Sequence, residues 1–152
     1  MTVQTKAAAI VLLGLLAAAA CVGDGTGLDQ NGNPIGSGPL PGSISFATDI
    51  QPIFTGNCAL TGCHAGTSPQ QGQNLSGGQA YANIVDVISN EAPPMRRVRP
   101  SKPDSSYLVH KIQGTQATVG GVGGRMPLGM GALAQADIDK IRAWITAGAP
   151  NN

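Results

Sequence analysis

The chain has 152 residues, only 11% of them charged, and 9 cations against 8 anions give a formal net charge of +1. A domain that binds a phosphate backbone carries a clustered basic excess, so no nucleic acid is expected as a partner. The nearest thing to a basic cluster is Arg96, Arg97 and Arg99 in a Pro-bounded stretch, and it reads as a solvated surface.

The chain opens with one cation, Lys6, and then runs apolar from Ala7 to Ala20, "AAAIVLLGLLAAAA". That run is shorter than the roughly 20 residues a membrane helix needs, and a single positive charge ahead of a small-residue end is the pattern of an export signal. Residues 1–20 are expected to be removed, taking Lys6 with them and leaving a net charge near zero. Cys21, after three alanines, resembles a bacterial lipobox, although Ala18 stands where leucine is preferred. The resemblance implies lipidation of the Cys21 thiol and a membrane anchor; ordinary cleavage nearby is the alternative. Residues 21–42 hold almost nothing to bury and read as a flexible Gly/Pro-rich tether. About 20 such residues span about 25 Å as a coil. The protein is expected to be exported, periplasmic or at the cell surface, and monomeric.

Residues 43–150 suit one compact domain, with only five aromatics: Phe46, Phe54, Tyr81, Tyr107 and Trp144. So few large side chains predict a weak core that a large apolar cofactor would complete. Phe46, Ile50, Ile53 and Phe54 recur at helical spacing, with Ser45 or Thr48 as N-cap. Pro52 favours the later cap, since proline is tolerated only near a helix start. After a Gly/Gln/Ser loop, Tyr81, Ile84, Val85 and Ile88 predict a second helix over 79–89. A four-proline stretch cannot continue it. Asp104, Ser105 and Ser106 then precede a short third helix carrying Tyr107, Leu108, Lys111 and Ile112 and ending near Gly114. Residues 114–132 form an irregular run with seven glycines and two methionines, which something else must hold in place. Ile138, Ile141, Trp144 and Ile145 make the apolar stripe of a final helix, stopped by Gly148 and Pro150. The fold class is all-α, short helices joined by long loops.

The stretch "NCALTGCHAG", Asn57 to Gly66, admits three readings. Cys58 and Cys63 could close a disulfide, the default in an exported protein. That gives a non-haem, disulfide-clipped surface lipoprotein acting as an interaction module. A zinc site needs a fourth ligand, and no second Cys/His pair exists in the domain, where His110 is the one other histidine. In the third reading both thiols hold a haem as thioethers. His64, directly after the second cysteine, is then within reach of the iron, although the usual spacer is two residues and here it is Ala59 to Gly62.

Taken with "PDSSYLVHKIQG", "GGRMPLG" and "IDKIRAWITAGAP", the motif makes most of residues 45–150 resemble a class I c-type cytochrome, in particular small exported bacterial domains with C-x4-C-H attachment. The resemblance implies a cytochrome c-like fold around one covalent haem c, with the C-terminal helix crossing the N-terminal one. Tetrahaem cytochromes repeat the C-x4-C-H spacing, whereas this chain has it once. It implies His64 and Met126 as axial ligands, with Met130, Met95 and His110 as rivals for the second position. Arg125, or more weakly Arg96, Arg97 or Lys111, would pair with a haem propionate. Phe54, Trp144 and Ile145 would pack helices and haem. The function implied is single-electron transfer between redox proteins of the cell envelope, with no catalytic residue. A haem enzyme such as a peroxidase would require an open iron position instead.

Overall fold

The computed structural model describes residues 44–152. The expected signal (1–20), the tether (21–42) and the lipidation site Cys21 lie outside the described residues. Among the described residues no helix is long and apolar enough to cross a membrane.

The fold is helical. No strand forms among the described residues, only isolated bridges such as Val85 with Val98 and Ile88 with Arg96. A π-helical turn, Phe46–Ile50, runs straight into α1 (Gln51–Asn57); α2 (Ala80–Ile84), α3 (Tyr107–Gln113) and α4 (Gln135–Thr146) follow. Short 3₁₀ turns lie at Pro103–Ser105 and Gln116–Val119.

The N-cap of the first segment is Ser45 and not Thr48. The Ser45 hydroxyl accepts from the Thr48 amide at 3.3 Å, and Asp49 returns the bond by accepting from the Ser45 amide at 2.9 Å. Pro52 does not forbid the early start because the wide turn ends just before it. The Gln51 amide reaches back to Phe46, and Pro52 stands in the first turn of α1, where its missing N–H costs least.

α2 is much shorter than its apolar periodicity predicts. Beyond Ile84 the backbone turns extended at Val85 and left-handed at Asp86, where φ is +62°. Its amides then pair across the chain: Asp86 with the Val98 carbonyl at 2.9 Å, Ser89 with that of Met95 at 2.8 Å, and the Arg97 amide with Val87 at 2.7 Å. β-branched Val85, Val87 and Val98 favour this extended pairing over another helical turn. α3 ends as its sequence predicts, on Gly114 at φ +78°. Ser106, at its N-cap position, spends its hydroxyl on the Arg99 amide (2.8 Å) and the Lys102 carbonyl (2.9 Å), so it ties the preceding loop and does not cap the helix.

The core is stronger than the shortage of aromatics suggests, because isoleucines take their place. Ile50, Ile84, Ile141 and Ile145 are fully buried, in one cluster with Phe46, Phe54 and Trp144. The π turn and α4 meet through Phe46 and Trp144, whose rings lie 5.3 Å apart, and Tyr81 stands edge-on to Phe46 at 5.4 Å. Such pairs add about 0.5–1.5 kcal/mol each beyond the area they bury. Their polar ends are satisfied: Trp144 Nε1 donates to the Pro150 carbonyl and the Tyr81 hydroxyl to that of Ala149, both at 2.9 Å. The two ends of the described chain are joined, since Ala47 donates to the Asn152 carbonyl at 2.9 Å and Phe46 to the Asn152 side chain at 2.8 Å.

Candidate functional site

α1 delivers the chain to Cys58, whose amide still bonds the Phe54 carbonyl at 2.8 Å. The spacer Ala59 to Gly62 then folds back on itself. Cys63 donates to Leu60 at 2.9 Å and His64 to the Cys58 carbonyl at 3.2 Å, a reversal that places Gly62 at φ +83°, a conformation glycine adopts without strain. The extra length of the spacer is therefore taken up as an outward turn. Cys58, Cys63 and His64 all remain on one wall, held from the other side by the bond from the Leu75 amide to the His64 carbonyl at 2.7 Å.

That wall belongs to a cleft of about 490 Å³. Leu75, Leu108 and Ile112 form its apolar lining, Met126 and Met130 line it from the glycine-rich loop, and Glu91, Arg97 and Lys111 bring charge. A cleft of this size, mostly apolar with a few fixed polar groups, suits a small-molecule or cofactor ligand.

Cys58 and Cys63 are free thiols. Burial, reinforced by the neighbouring Cys63, pushes the Cys58 thiol up to about 11, so it stays protonated at neutral pH. Burial lowers the pKa of His64; the backbone carbonyls of Gln70 and Gln73 and the Glu91 carboxylate oppose this, and Arg97 adds to it. Neutral imidazole is the form that binds metals, and His64 Nδ1 is buried with no hydrogen-bond partner. Among the described residues no group of three or more His, Cys, Asp and Glu side chains could hold a metal ion, and Cys58, Cys63 and His64 do not converge as one.

Of the rival ligands, Met130 lines the same cleft and is 49% exposed, whereas Met126 is half-buried. Met95 lines a separate hollow with Arg96 and Arg99. His110 has both ring nitrogens engaged, Nδ1 with the Thr115 hydroxyl at 2.9 Å and Nε2 with the Asp104 carbonyl at 3.1 Å.

The arginine run is not the uniformly solvated surface its composition suggests. Arg97 is only 6% exposed and donates to the carbonyls of Asn83 and Gln71, each at 2.7 Å. The chain reversal at Asp86 returns Arg97 to Asn83, the turn at Gln70–Gly72 supplies the Gln71 carbonyl, and no carboxylate pairs with Arg97 among the described residues. Arg125, beside the methionine, is exposed. Sequence reasoning also overlooked Glu91 and Tyr107 as lining residues, and Gln116 as a support of the loop beside them. Glu91 pairs with Lys111 at 2.9 Å, the Tyr107 hydroxyl donates to the Val122 carbonyl at 3.1 Å, and Gln116 Nε2 to that of Gly123 at 2.9 Å. One available signal was that Glu91 is the sole acid between Asp86 and Asp104, in a stretch otherwise bounded by prolines.

Comparison with protein-family models, with curated proteins and with solved structures finds no match.

Proposed function

We propose that this protein is a mono-haem c-type cytochrome that carries single electrons between redox proteins of the cell envelope. The observation that carries the reading is that Cys58, Cys63, His64 and Met126, separated by up to 68 residues of sequence, line one largely apolar cleft. The residues fit the group. Cys58 and Cys63 would hold it as thioethers, His64 and Met126 would be the axial ligands, and the buried cation of Arg97 matches a propionate better than exposed Arg125 does. The joining of the π turn to α4 through Phe46 and Trp144 also agrees with the helix crossing expected of such a fold.

Haem c supplies an iron that alternates between Fe(II) and Fe(III), and pairing histidine with methionine raises its potential relative to two histidines. The rest of the chemistry is exclusion and positioning. Leu75, Leu108 and Ile112 give the cleft apolar surface, and burial favours the neutral form of the half-buried His64 imidazole, whose Nδ1 has no partner. With His64 and Met126 both holding the iron, the chain would need no catalytic residue. The exposed apolar side chains at the cleft mouth, Leu128 and Met130, suit brief contacts of small area with redox partners. A lipid at Cys21 would hold the domain at a membrane.

The test is the intact mass, under denaturing conditions, of the exported protein made in a host with cytochrome c maturation machinery. A gain of one haem that survives denaturation is expected. A colourless protein two hydrogens lighter than the reduced chain would overturn the reading in favour of the disulfide-clipped module. In the coloured protein, Met126→Ala should lower the potential and open the iron to added ligands; an unchanged spectrum would remove Met126 as ligand and leave Met130.

A further inference from the structure

The segment Gly120 to Met126 contains four glycines and no regular structure beyond the 3₁₀ turn that ends before it. Nothing in its own sequence fixes where it lies, yet it carries a methionine that lines the cleft. What holds it is outside it. Lys111 Nζ donates to the Val122 carbonyl at 3.2 Å while pairing with Glu91 at 2.9 Å, and the two side chains are 8% and 16% exposed. The Lys111 carbonyl in turn accepts from the Met126 amide at 2.9 Å. The fit is close: a Cβ at Gly123 would stand 3.0 Å from Lys111 Nζ and 3.1 Å from Glu91 Oε1. One ion pair thus ties three separate stretches, the proline-bounded segment through Glu91, α3 through Lys111, and the loop through Val122.

We propose that the Glu91–Lys111 pair, beside the ties from Tyr107 and Gln116, is a positioning clamp of the methionine loop and so helps to set how fully Met126 would reach the iron; the second half rests on the haem reading above. A buried ion pair that loses one partner leaves the other as an uncompensated charge, which must reach water. Lys111 without Glu91 would carry that charge at the Val122 carbonyl it now holds. Glu91 and Lys111 act here through Met126 and touch no reacting atom.

The experiment compares the full-length exported protein with Glu91→Gln and with Glu91→Leu/Lys111→Leu. The double variant removes both charges, so it keeps the fold even where the single one is badly destabilised. The first readout, hydrogen exchange of the Met126 amide that the Lys111 carbonyl holds, needs no haem. Exchange should rise about tenfold or more in both variants, a factor that corresponds to losing one modest tie. The second is the methionine–iron charge-transfer signature and the affinity for added imidazole, which should weaken and rise respectively, the affinity by about tenfold. Ile138→Val in α4 serves as a control that lowers stability without touching the clamp, and it should move neither readout.

Wild-type exchange in both variants would overturn the clamp, as would an equal change in Ile138→Val. Raised exchange with an unaltered methionine signature would overturn the control of Met126. A protein that carries no haem would defeat the functional reading, and loop exchange alone would then decide the clamp.

Discussion

The face built by the π turn, α1 and α4 and the face built by the glycine-rich loop are held by different forces. The first is closed by apolar packing: Phe46, Phe54, Tyr81 and Trp144 in mutual contact, over isoleucines that are fully buried. The second has few side chains to pack and is fixed by discrete polar ties from Tyr107, Lys111 and Gln116 to the carbonyls of Val122 and Gly123. Packing is spread over many atoms and tolerates small losses, whereas a polar tie is made or broken as a unit. A molecule arranged in this way can keep its fold while one wall of its cleft shifts.

That difference can be broken most forcefully at Trp144. Trp144→Ala empties a fully buried site and should cost about 3–5 kcal/mol in urea unfolding, with the whole domain melting together. A loss under about 1 kcal/mol would mean that the packed face is not what stabilises the domain.

The next effect is a dependence on pH. In the unmodified protein the Cys58 thiol is raised from an ordinary value of 9.0 to about 11 in the folded state. The folded state therefore holds its proton more tightly than the unfolded chain. The associated stability is complete below pH 9 and is lost as the pH climbs toward 11, by up to about 2 kcal/mol. Conversion of the sulfur to a thioether removes the titration, so a haem-bearing sample should lack this loss. Chemical denaturation of both forms at pH 8 and pH 10.5 compares them directly.

On the loop face, Gly121→Ala would drive a Cβ into the Tyr107 ring and displace the segment ahead of Met126. A cost of about 1–3 kcal/mol is expected; in a sample shown to carry haem, a change in spectrum that Trp144 variants retaining the fold do not show should accompany it. Matching spectra for Gly121→Ala and the wild type would show that this face accommodates the added methyl group. The smallest effect belongs to the entry of the packed face: Ser45→Ala removes the hydroxyl that caps the π turn and should cost about 1 kcal/mol, read as a few degrees in thermal unfolding.

The two faces were also unequally legible in the sequence. α4, with Ile138, Ile141, Trp144 and Ile145 inward, and the end of α3 at Gly114 follow from periodicity and one glycine, because both signals are local. The Cys58, Cys63 and His64 spacing can likewise be read locally, and all three line the cleft. What escaped is what depends on distant chain. α2 stops at Ile84 because the Val98 carbonyl offers a partner to the Asp86 amide, and no window around Asp86 contains that information. Arg97 looks solvated beside Arg96 and Arg99 until carbonyls from Gln71 and Asn83 are brought around it.

The bonds that join Phe46 and Ala47 to Asn152 have a mechanical consequence. A pull applied to the chain at Ile44 meets these bonds first, and behind them the stack of Phe46 on Trp144, so the load enters and is resisted on the packed face. Cys58 follows directly on α1 and packs against the same core, so the packed face that takes the load also supports the start of the cleft lining.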